Sequence, residues 1–153
     1  MVLNRQKRIR VKLRALDEFL HRAAALLRLP HDAATICLVT DAKIAGWNRL
    51  YRGKDRPTDV LSFPAFAHAQ NGNGRMPRLP RTLGATKKFY LGDVAIAPAV
   101  ARRNARAAGR SFDQEMRTLT LHGLLHLMGY DHESDNGAME RLETRLRRKL
   151  GIT

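Results

Sequence analysis

The stretch His122-Gly123-Leu124-Leu125-His126-Leu127-Met128-Gly129-Tyr130-Asp131-His132 constrains this chain more than any other. Met116, Leu119, Leu121, Leu124, Leu125 and Leu127 read as the core of a helix running from about Glu115 to Met128. His122 and His126 stand four apart on it, so their imidazoles project from one face, one turn apart. Gly129 can leave helical backbone angles at little cost and ends the helix. The chain then turns and can bring His132 back toward the first two. Three of the six histidines in the sequence fall within these eleven residues.

That spacing lets ring nitrogens reach one metal ion at about 2.0–2.1 Å. Three neutral imidazoles with an open fourth position describe a catalytic zinc site, whereas a structural site is closed by a fourth protein ligand. Nickel, copper and iron also accept imidazole. The same spacing occurs in metzincin peptidases, which carry a Glu general base directly after the first histidine. Here that position is Gly123, which argues against peptide hydrolysis by that route. A zinc ion on three histidines can bring the pKa of its water to around 7. On a phosphodiester, arginine forks would then stabilise the developing charge.

Composition points the same way. Lys and Arg number 28 against 14 Asp and Glu, a formal net charge of +14. Such an imbalance describes a polyanionic partner rather than a fold. The 153 residues suit a single domain, 1–153, and 44% hydrophobic residues exclude wholesale disorder. The single cysteine, Cys37, excludes an intramolecular disulfide and sits in an apolar run as a small buried hydrophobe. No apolar run approaches the roughly 18–20 residues of a membrane span. The first fourteen residues hold six basic side chains and no acid, without an apolar signal region behind them. A cytoplasmic protein without a membrane partner is expected.

The element pattern is α+β: a small mixed sheet packed with about five helices. Val2-Leu3-Asn4 reads as a short strand. Apolar steps of three and four from Ile9 through Leu13, Leu16, Leu20 and Leu27 mark a helix stopped near Pro30. Ala34–Val39 reads as a buried strand, and Thr40 or Asp41 caps a helix to about Tyr51. Thr58–Phe63 reads as a strand ended by Pro64, which places it at a sheet edge. Residues 67–88 contain Asn71-Gly72-Asn73-Gly74, two prolines and five basic residues, and read as a basic loop insertion. Phe89–Ile96 is a further strand. Pro98 opens a helix ending at Gly109, and Ser111 caps the histidine helix. A last helix runs from about Ser134 or Asp135 to Leu150, with Met139, Leu142 and Leu146 along one face.

These motifs together resemble the YbeY family of bacterial metal-dependent endoribonucleases, also described as rRNA maturation factors. The resemblance lies in the histidine motif, in Thr58-Asp59-Val60-Leu61-Ser62-Phe63-Pro64, in Leu91-Gly92-Asp93-Val94, and in Asn48-x-x-Tyr51-Arg52. It covers roughly residues 34–150. It implies a small α+β fold and one zinc per chain, held by His122, His126 and His132. It implies cleavage of single-stranded RNA in 16S rRNA 3′-end maturation and ribosome quality control, with rRNA and the ribosome or its small subunit as partners. It maps the family's functional arginine onto Arg52, the candidate phosphate clamp. The segment 67–88 is longer and more basic than the family's usual link at this place. An rRNA-binding assembly factor with a mainly structural metal, and a metallohydrolase of another substrate class, are the rival readings.

Other residues carry narrower expectations. Asp93 either orients a ligand histidine or caps a turn. Glu115, seven residues before His122, reads as a solvent-facing first-turn acid held by the helix dipole. Asp131 reads as a turn residue, and His21, His31 and His68 as surface residues. Arg102 and Arg106, extended by Arg110, form a stripe suited to phosphates. Two nucleophiles stay open, a metal hydroxide and the RNA 2′-hydroxyl.

Overall fold

The computed structural model describes residues 1–65, 90–131 and 136–152. Four strands form one sheet: β1 (Val2–Asn4), β2 (Ala34–Leu38), β3 (Val60–Pro64) and β4 (Gly92–Ile96). Five helices complete the described residues: α1 (Leu13–Leu26), α2 (Asp41–Arg52), α3 (Pro98–Ala107), α4 (Phe112–Leu127) and α5 (Ala138–Leu150). The spatial order is β1-β2-β4-β3. The first three strands are parallel and β3 is antiparallel to β4. The fold is the expected α+β arrangement with a mixed sheet, and the proline-ended strand is an edge. Pro64 is itself the last residue of β3, opposite Gly92.

Side chains alternate across the sheet, as the period of two requires. Ile36, Leu38, Val94 and Ile96 face a large core shared with α1, α4 and α5. Cys37, Ala95, Leu61 and Phe63 face the opposite side, where Ile44 and the partly buried Trp47 and Tyr51 of α2 cover them. The sheet is therefore sandwiched, and α4 is central to the larger layer. Met139 is fully buried in that core, which accounts for it as packing. Burial of Cys37 pushes its thiol pKa up; Arg5 opposes that shift and Asp93 adds to it.

Several boundaries differ from the sequence expectation; β3 starts at Val60 rather than Thr58 and includes Pro64. Ile9 fits the helical period but lies outside α1. Its backbone N–H donates to Gln6 Oε1 at 2.9 Å, and Gln6 Nε2 donates back to the Ile9 carbonyl at 2.9 Å. That closed turn buries Ile9 without a helix. Of the expected strand Phe89–Ile96, Tyr90 and Leu91 precede β4, which begins at Gly92. The last helix begins at Ala138, because Gly137 occupies its N-cap in a left-handed conformation. The basic segment 67–88 and its His68 lie outside the described residues, as do Ser134 and Asp135.

Candidate active site

Helix α4 begins with a reciprocal cap. Ser111 Oγ accepts from the Gln114 backbone N–H at 3.1 Å, and Gln114 Oε1 accepts from the Ser111 N–H at 3.2 Å. The helix ends in a paired-carbonyl turn. Gly129 N–H donates to the His126 carbonyl at 3.0 Å, and Tyr130 N–H to the Leu125 carbonyl at 3.1 Å. Gly129 sits at φ +95°, a conformation that side-chain-bearing residues rarely adopt. The helix therefore stops at Leu127, directly after His126 and just before the Gly129 turn that the sequence motif marks.

Gly123 is set by packing rather than by flexibility. A Cβ there would lie 2.5 Å from Val94 Cγ1. So α4 presses directly onto β4 at the residue following His122. No carboxylate fits at this position, which removes the peptidase-type general base on steric grounds. The Ser62 hydroxyl on β3 donates to the Gly123 carbonyl at 3.2 Å, tying the edge strand to the histidine helix.

His122 and His126 converge, with their Nε2 atoms 3.0 Å apart. Two nitrogens bound to one tetrahedral ion at about 2.0–2.1 Å lie about 3.3–3.4 Å apart, so the pair is close to chelating separation. His122 Nδ1 lies 3.1 Å from Glu143 Oε2 on α5. A ring that donates Nδ1–H to a carboxylate presents an unprotonated Nε2, the form a metal needs. The donor chemistry thus fits a zinc ion. Among the described residues no group of three His, Cys, Asp or Glu side chains surrounds a common point. His132, the expected third ligand, lies outside the described residues.

The histidine pair lines a cleft of about 560 Å³ with Arg52, Asp131, and the Thr58–Ser62 segment that leads into and begins β3. Arg52 closes α2 and is exposed, followed by Gly53 at the helix C-cap. Buried Asn48 shapes the connection beyond it: Nδ2 donates to the Arg56 carbonyl at 2.9 Å, and its own carbonyl accepts from Lys54 N–H at 3.3 Å. Asp59 is tied to α3 by Asn104 Nδ2 at 3.3 Å. The structure therefore brings Arg52 of α2 and His122 and His126 of α4 into one cavity.

One side-chain expectation, that for Glu115, is corrected. Asp93 does not line the cleft with His122 and His126. Val94 meets α4, so its neighbour Asp93 points to the opposite sheet face. There it accepts from the Tyr90 hydroxyl, which also bonds Thr35 Oγ1 at 2.7 Å. Glu115 is buried, not solvent-facing, because the first turn of α4 packs beside α3. Its Oε2 lies 3.7 Å from Arg110 Nη1. Asp131 is exposed at the cleft, and His21 and His31 are exposed and pack edge to face. Glu143 was not anticipated. Its signal is an acid one turn from Met139 and three residues before Leu146, on the face of α5 that otherwise packs inward.

Comparison with known proteins decides the family. The family model Endoribonuclease YbeY matches residues 1–151. The chain belongs to the YbeY family. A YbeY endoribonuclease of Koribacter versatilis is 37% identical over 152 residues, covering 99% of this chain and 86% of the relative. One from Sinorhizobium medicae is 40% identical over 147 residues, covering 94% and 79%. In fold, the chain is similar to a Thermotoga maritima protein solved in solution. The TM-score is 0.56 at 24% identity, covering 98% of this chain and 89% of that one. The YbeY match spans α1 to α5, so the cleft and the helices that build it all lie inside the family's own boundaries. Among the described residues no helix is long and apolar enough to cross a membrane.

Proposed function

We propose that this chain is a zinc-dependent endoribonuclease that cuts single-stranded RNA. Its place is rRNA processing, including 16S rRNA 3′-end maturation and ribosome quality control, in the cytoplasm on the small ribosomal subunit. Membership in a family whose relatives are named endoribonucleases supports the reaction class. The observation that carries the reading is the converging His122–His126 pair in the same cleft as Arg52.

His122, His126 and His132 would hold the ion, with Glu143 fixing the ring of His122. Bound there, zinc supplies Lewis acidity toward a phosphoryl oxygen or an attacking hydroxyl. Arg52 supplies a guanidinium fork for the phosphate and offsets charge that builds on it during cleavage. The hydroxyls of Thr58 and Ser62 and the carboxylates of Asp59 and the exposed Asp131 add to the polar lining. Both histidines are part-buried between β3 and α4, so a phosphodiester must bend inward to reach them. A single strand can do this, whereas an A-form duplex holds its backbone in a fixed helical path. Val94 leaves no space for the acid that peptide hydrolysis of the metzincin type requires.

The test is Arg52→Ala, compared with wild type at equal zinc content on a labelled single-stranded RNA. Cleavage slower by about 10²-fold or more is expected. Equal rates with zinc retained would remove Arg52 from the chemistry.

A further inference from the structure

Helix α5 carries Arg141, Arg145 and Arg148 at steps of four and three, so they share one face. All three are exposed, and among the described residues none pairs with an acid. The helix dipole accounts for cations in the last turn, where Arg147, Arg148 and Lys149 stand. It does not account for Arg141 in the first turn, where the dipole disfavours positive charge. Arg141 is instead fixed there by donating from Nη1 to the Asn136 carbonyl at 3.1 Å.

Arg141 and Arg145 form one wall of a groove of about 420 Å³ whose other lining residues, among the described ones, are Tyr130, Ala138 and Leu142. Among the described residues no acid lines this groove; Glu140 lines the adjoining depression on the far side of the arginine ridge, together with Arg141, Arg145 and Arg148. Tyr130 directly precedes Asp131, which lines the histidine cleft. The groove and the cleft are therefore lined by consecutive residues of the chain.

We propose that this groove and the arginine ridge along its wall carry the RNA strand as it leaves the cleft, with the half-buried Tyr130 as a stacking surface for a base, Arg141 and Arg145 as phosphate contacts in the groove, and Arg148 as a further one on the same helix face beyond it. The inference rests on the RNA reading of the cleft. Charge and shape favour this occupant. Arginines along a backbone track beside an aromatic ring are the elements of single-strand recognition. Seven helical residues rise about 10 Å, the length of about three stacked nucleotides at roughly 3.4 Å each.

The test compares the double variant Arg145→Glu, Arg148→Glu with a charge-matched control, Arg8→Glu, Arg10→Glu. The control residues are exposed and follow β1, at the sheet edge opposite β3. Binding of a fluorescent 20-nucleotide oligouridylate is measured for each protein across a salt series, with unfolding curves to confirm folding. Affinity at least tenfold below wild type is expected for the α5 variant, and less than threefold below for the control. The salt slope of the α5 variant should fall by about 1.4, two lost phosphate contacts at about 0.7 each. Arg145→Gln should give a smaller loss in the same direction. An α5 variant that binds like the control while wild type binds tightly overturns the groove alone, and points to a protein partner for that face. A wild type that neither binds nor cuts RNA overturns the RNA reading and the groove with it.

Discussion

Glu143 Oε2 lies at hydrogen-bond distance from His122 Nδ1 and favours the tautomer with Nε2 unprotonated, so its removal has a specific consequence. Glu143→Ala should weaken zinc binding about 10–100-fold in chelator competition. Glu143→Gln, which can still accept from Nδ1–H, should recover part of that loss. Unchanged zinc affinity in Glu143→Ala would mean that the ring is held by other contacts. Gly123 makes a second claim at this scale. Gly123→Ala forces Val94 to move and should destabilise the fold by about 1–3 kcal/mol in urea unfolding; a change under about 0.5 kcal/mol would show that the helix–sheet contact yields. Residues spaced along one element, such as His122 and His126, are legible in sequence because helix periodicity alone brings them together. Asp93 was not, because its surroundings depend on which sheet face it occupies. Glu143 reaches His122 from a different helix, a contact that spacing alone does not reveal.

The histidine helix is held at both ends by local chemistry. Ser111 and Gln114 satisfy its first backbone donors, and the turn at Gly129 satisfies its last acceptors. Ser111→Ala should cost about 1 kcal/mol of stability by chemical unfolding. No measurable loss would show that Gln114 and packing hold that terminus. Most elements were readable because caps, prolines and apolar periods agreed. Misreadings arose where a side chain took over the role of an element. The Gln6 amide closes a turn around Ile9 and delays α1, and Gly137 delays α5. Glu115 was misread for a related reason: first-turn acids are normally solvated, but α3 covers this one.

The whole molecule combines a cleft assembled from α2, β3 and α4 with a formal net charge of +14. The sheet is covered on both faces by its own helices, so the charge those helices carry lies on their outer faces, beside the basic residues between β1 and α1. Exposed Arg102, Arg106 and Arg110 on and after α3 belong to that surface. Affinity for single-stranded RNA should fall steeply with salt, by about 0.7 logarithmic units per tenfold rise for each phosphate engaged. A flat response would remove the basic surface from RNA binding. The polyanion-binding class was legible from charge alone, and the cleft from motifs; the path between them depends on which helix faces remain exposed after packing.

The most direct measurement is RNA cleavage by wild type and His126→Ala, purified identically and given matched single-stranded and duplex RNAs. If the histidine pair is the centre of a single-strand nuclease, wild type cuts the single strand and spares the duplex. His126→Ala then falls roughly 10²-fold or further below it. Equal cutting by both proteins would contradict the account and assign the activity to a contaminant or to another part of the chain.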